Sequence, residues 1–84
     1  ELVVSPNMKL SLQRHYERAE IWFIVEGQAK IYINDSVQIL NKFDTINIDR
    51  GQWHQLCNPS SDKILRVIEI QYGETCREED IERK

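Results

Sequence analysis

Apolar and polar residues alternate along most of this chain, with the two-residue period of strands that bury one face. Leu2–Val4 is a short apolar start, stopped by the turn cluster Ser5-Pro6-Asn7. From Met8 to His15, Met8, Leu10 and Leu12 fall on one face and Lys9, Ser11, Gln13 and His15 on the other. Ile21-Trp22-Phe23-Ile24-Val25 is unbroken, so that strand is expected to be buried on both faces. Gly27 is expected to allow a tight hairpin into a strand at Ala29–Ile33, and Asn34-Asp35 a two-residue turn into Val37, Ile39 and Leu40. Ile46 and Ile48 alternate with Thr45, Asn47 and Asp49, and Gln52–Cys57 and Ile64–Tyr72 complete the series. Seven or eight short strands between turns predict an all-β fold, an antiparallel sandwich or barrel. The tail departs from this rhythm. Thr75-Cys76-Arg77-Glu78 fits a capping box, acidic residues follow and Arg83-Lys84 closes the run, which predicts a short helix from about residue 76 to 83.

Composition narrows the class without changing the fold. Eighty-four residues make one small domain, 1–84, near the size at which a single core only just offsets chain entropy. Eleven basic residues against fourteen acidic ones give a net charge of −3, with no basic patch for nucleic acid. No apolar run approaches the ~18 residues of a membrane span. Glu1-Leu2-Val3-Val4 reads as strand rather than as a signal peptide. Cys57 and Cys76 show no C-x-x-C spacing and are too few for a disulfide scaffold. Free thiols in a reducing, cytoplasmic setting are expected.

The chain has two histidines, and each sits in a stretch with other donors. On a strand, Gln13 and His15 share a face, and Glu20 rejoins it from the next strand after a polar turn at Tyr16–Ala19. His54 lies downstream in Asp49-Arg50-Gly51-Gln52-Trp53-His54-Gln55-Leu56-Cys57-Asn58. Two imidazole nitrogens, the Glu20 carboxylate and the Gln13 amide oxygen make a four-ligand set for one divalent metal. Zinc is the foremost candidate, with manganese, cobalt and iron(II) also suited to mixed nitrogen and oxygen donors. The plainer reading is of two histidines hydrogen-bonded inside a core.

The same stretches resemble the paired motifs of the cupin superfamily. Gln13-x-His15, four residues, Glu20, six residues and Gly27 fit the first motif, with glutamine in place of its first histidine. Gly51, His54 and Asn58 fit the second, while Phe43 stands at its glycine position and Asp49 at its proline. A nearer resemblance is to the cupin domain of type II mannose-6-phosphate isomerases, often fused behind a mannose-1-phosphate guanylyltransferase. It rests on Leu10-Ser11-Leu12-Gln13-Arg14-His15-Tyr16, Arg18-Ala19-Glu20-x-Trp22, Gly51-x-x-His54-x-Leu56-x-Asn58-Pro59, Ile68-Glu69-Ile70-Gln71-x-Gly73-Glu74 and Glu79-Asp80-Ile81-x-Arg83. Such domains carry one or two further strands before the position of Leu2, so a longer parent is expected.

The resemblance implies a cupin-type antiparallel β-barrel of jelly-roll form and a metal held by Gln13, His15, Glu20 and His54. It also implies interconversion of mannose 6-phosphate and fructose 6-phosphate, in which the metal polarises the sugar's C1 and C2 oxygens. Arg18 and Arg83 are the candidate cations for the sugar phosphate. Glu69, or Glu26, would face inward as base or hydrogen-bonding partner, and Trp22 would meet the sugar if it does not simply pack the barrel. The rival readings are a non-catalytic cupin binding a sugar or other small ligand as a regulatory module, and an iron oxygenase, against which Gln13 counts. A homodimer is expected, because an exposed sheet edge and Ile21, Phe23 and Val25 call for cover.

Overall fold

Strands form where the alternation places them, and the computed structural model describes residues 1–73 and 80–83. They are β1 (Leu2–Val4), β2 (Gln13–Arg14), β3 (Arg18–Glu26), β4 (Ala29–Ile33), β5 (Ser36–Leu40), β6 (Thr45–Ile48), β7 (His54–Cys57), β8 (Leu65–Gly73) and β9 (Glu82–Arg83). One sheet has the order β1-β8-β3-β6 and the other β5-β4-β7-β2-β9, and the paired strands run antiparallel. Among the described residues the fold is all-β, a jelly-roll barrel of two facing sheets.

The core follows from the pleat. Val4, Trp22, Ile24, Ile48, Leu65 and Val67 from the first sheet meet Ala29, Ile31, Ile33, Leu40 and Leu56 from the second, with Leu2 and Leu10 packed at the margin. This buried cluster is the main driving force for the fold, at about 1.5–3 kcal/mol for each large aliphatic side chain removed from water.

Several local expectations are corrected. Gly27 does not close a hairpin, because β3 pairs with β8 and β6 while β4 pairs with β5 and β7. With φ 86° it turns the chain from one sheet to the other, and a Cβ there would lie 2.5 Å from the Ile64 carbonyl oxygen. Asn34, with φ 51°, does carry the expected β4–β5 hairpin. The run 21–25 is buried on one face alone: Trp22 and Ile24 point inward, while Ile21, Phe23 and Val25 are half-exposed. Met8–His15 is not a continuous strand either. It follows β7 through a single bridge from Lys9 to Cys57 and pairs regularly only at β2.

Phe43, at the motif's glycine position, takes φ 75°, which costs a residue with a side chain roughly 1–2 kcal/mol. Its ring stacks on Phe23 at 6.1 Å, and its amide donates to the Ile24 carbonyl at 2.7 Å, which ties the turn down. At the tail, Glu82–Arg83 is a strand paired with β2, not the end of a helix. An isolated helical turn is marginal in water, whereas the free edge of β2 supplies a hydrogen-bonding partner. The rest of the predicted helix, 76–79, lies outside the described residues.

Candidate metal centre

His15 follows β2 directly, Glu20 is the third residue of β3, and His54 opens β7. Their side chains meet between the two sheets, all buried. The Nε2 of His15 lies 3.2 Å from Oε2 of Glu20, and that of His54 lies 3.9 Å from the same oxygen. The two imidazole rings are 5.5 Å apart.

Each ring is oriented from behind. His15 Nδ1 donates to the Asp80 carbonyl at 2.6 Å, and His54 Nδ1 to the Gln52 carbonyl at 3.2 Å. Arg18 Nη2 lies 3.1 Å from His15 Nε2. A carbonyl only accepts, so the Asp80 contact places the proton of His15 on Nδ1 and leaves Nε2 as an acceptor. Burial pushes the pKa of His54 down, outweighing the charge of Glu20, and favours its neutral form. Burial opposes ionisation of Glu20, but hydrogen bonds from Glu69 and Trp22 and the nearby histidines more than offset it, so its carboxyl titrates below the ordinary range. Trp22 Nε1 is one of those donors, at 2.9 Å.

Two imidazole nitrogens and a carboxylate oxygen therefore face one another, all buried between the sheets. Their candidate ligand atoms all lie within 4.8 Å of each other. Tetrahedral coordination at zinc-like bond lengths puts donors about 3.3 Å apart, close to the shorter separation found here. Two imidazoles and a carboxylate at these separations could hold a divalent cation.

The cavity beside the triad is about 130 Å³ and is lined on its polar side by Gln13, Arg18, Glu69 and Gln71, and on its apolar side by Leu2, Leu10, Trp22 and Leu56. Gln13 pairs through its backbone with His54, and its amide nitrogen donates to Ser11 Oγ at 2.5 Å. Arg18 is buried at the cavity wall. Glu69 is half-buried; burial, then the hydrogen bond and charge of Glu20, push its pKa up to about 7. Trp22 is 2 % exposed, and its ring meets His54 edge-on at 5.5 Å, so it packs the core and holds Glu20 rather than offering an open face to a sugar. Arg83 and Glu26 are exposed and do not line the cavity.

Sequence reasoning missed the role of Asp80. Its carboxylate accepts the backbone N–H of Tyr16 at 3.0 Å and of Glu17 at 2.6 Å, while its carbonyl holds His15. The tail motif Glu79-Asp80-Ile81-x-Arg83 marked the residue, but contacts spanning more than sixty residues gave no local sign of its role.

The family model described as "Mannose-6-phosphate isomerase C-terminal" matches residues 1–84. The chain belongs to that family. A mannose-1-phosphate guanylyltransferase of Sinorhizobium fredii is 42 % identical over 80 residues, which cover 95 % of this chain and 15 % of that protein. The alginate biosynthesis protein AlgA of Pseudomonas aeruginosa is 40 % identical over 83 residues, covering 98 % and 17 %. The domain thus spans about one-sixth of the length of these relatives. A cupin 2 domain-containing protein from Halorhodospira halophila superposes with a TM-score of 0.76 at 25 % identity, over 87 % of this chain and 49 % of that one. The cupin barrel expected from the motifs is confirmed.

The expected isomerase activity is not upheld. A relative that aligns along nearly the whole chain is named a guanylyltransferase, and the chain corresponds to a domain of such enzymes. Of the residues expected to act in isomerisation, Arg18 and Glu69 line the cavity and Arg83 does not.

Proposed function

We propose that this chain is the metal-holding cupin domain of a mannose-1-phosphate guanylyltransferase-type enzyme, and that it binds a sugar phosphate as a module beside the transfer chemistry. The three glycines stand apart at 27, 51 and 73, so this chain carries no glycine-rich phosphate loop. The observation that carries the reading is the convergence of His15, Glu20 and His54 with the buried Arg18 guanidinium against one of them.

His15, Glu20 and His54 would hold the cation, with the Gln13 amide oxygen as fourth donor. When bound, the metal supplies a Lewis-acidic anchor for ligand oxygens. Arg18 supplies a fixed positive charge for an anionic group, and Leu2 and Leu10 an apolar wall for the ring's C–H face.

Calorimetric titration of the zinc-loaded chain with mannose 1-phosphate and with mannose tests this. The phosphorylated sugar should bind tighter by about 10- to 100-fold, the worth of one charge-assisted contact of roughly 1.5–3 kcal/mol. Arg18→Gln should erase most of that difference. Equal binding of the two sugars, or binding indifferent to metal, would overturn the proposal.

A further inference from the structure

The two histidines of the centre are held in different ways. The partner of His54, the Gln52 carbonyl, lies two residues away in the same loop. The partner of His15, the Asp80 carbonyl, is 65 residues away and is present only when the C-terminal strand is docked. That docking is itself built from charged contacts. The Asp80 carboxylate takes both amide protons of the turn after His15, and Glu82 binds the Arg14 guanidinium at 2.8 Å and the Tyr16 hydroxyl at 2.5 Å. Arg14 in turn lies over the rings of Tyr16 and Trp53, at 4.9 and 4.5 Å. Asp80 and Glu82 thus hold Arg14, Tyr16 and Glu17 on both sides of His15, while Arg18 Nη2 meets the His15 ring itself at 3.1 Å. The His15 carbonyl also accepts the Gly51 N–H at 2.6 Å.

We propose that the C-terminal segment Asp80–Arg83 is a positioning strap for the metal centre, with Asp80 as the positioning residue that fixes the tautomer and aim of His15. The inference rests on the metal reading above. Docking of β9 presents the Nε2 lone pair of His15 to the triad, and occupation of the triad favours the docked strap. The two equilibria are coupled, and by linkage the coupling is reciprocal. A carbonyl behind a ligating imidazole raises its basicity and sets its orientation, and loss of such a partner weakens metal affinity about 10- to 100-fold.

The test uses cobalt(II) alone as probe on the full 84-residue chain. Asp80→Ala should weaken cobalt affinity about 10- to 100-fold, and Asp80→Asn, which keeps one acceptor oxygen, should recover part of it. In the metal-free protein, nitrogen-15 spectra of the imidazoles should show His15 as the Nδ1–H tautomer in wild type and a mixture in Asp80→Ala, with His54 unchanged. On wild type, cobalt should slow hydrogen exchange at the Tyr16 and Glu17 amides, a readout that needs no variant to fold. Unchanged exchange at those amides, or wild-type affinity and tautomer in Asp80→Ala, would overturn the strap. Failure of wild type to bind cobalt would instead sink the metal reading, and the tautomer spectra would still decide whether Asp80 orients His15.

Discussion

Glu69 lies opposite Trp22 in the β3–β8 ladder and faces the same cavity as Glu20. In the metal-free protein, burial and the neighbouring carboxylate hold its pKa at about 7, above the ordinary 4.5. A raised pKa means that folding favours the protonated form. The stabilisation is fully present below the ordinary value and is lost as pH rises through about 7. Glutamine mimics the protonated carboxyl, so metal-free Glu69→Gln should melt with wild type near pH 4 and above it near pH 8. Discounted for solvent screening, the gain is of order 1 kcal/mol, about 4–8 °C for a domain of this size. His54, whose pKa is lowered, costs stability as pH falls, but it does so equally in both proteins and cancels from the comparison. A melting difference that does not change with pH would show that Glu69 is not coupled to Glu20.

Among the strands, β3 and β8 carry most of the account, because their inner faces hold the site and their outer faces are unusually apolar. Ile21 pairs with Ile70 and Phe23 with Ile68, and Val3, Ile68, Ile70 and Tyr72 are each 43–55 % exposed on that side. With Phe43 at 65 %, and at roughly 100 Å² for a half-exposed large side chain, the patch approaches 600 Å². That is the top of the range for a monomer and close to the ~800 Å² per partner of a standard interface. A second copy on this face is the expected occupant. Sedimentation at high micromolar concentration should show a dimer that Ile70→Glu converts to a folded monomer, and a monomeric wild type would refute this. The strands themselves were legible, since alternation is a local property, and so were the two motif histidines with Glu20. The path between sheets at Gly27 was not, because a turn glycine looks the same whether the chain folds back on its neighbour or crosses over. The tail was misread for a related reason. A capping box is a local signal, and the edge of β2 that captures Glu82–Arg83 lies nearly seventy residues away.

At the scale of the whole molecule, a small core holds two sheets together while three buried polar ligands and a buried arginine sit between them. Such a cluster is costly to bury in a domain of this size even with its hydrogen bonds made. On the proposed metal reading, loading the site should raise the melting temperature. The most direct test is elemental analysis after dialysis against buffered zinc, on wild type and on His15→Ala and His54→Ala. The account predicts about one zinc per chain in wild type, far less in either variant, and all three folded by circular dichroism. Retention of zinc by both variants, or its absence from wild type, would contradict the metal centre itself.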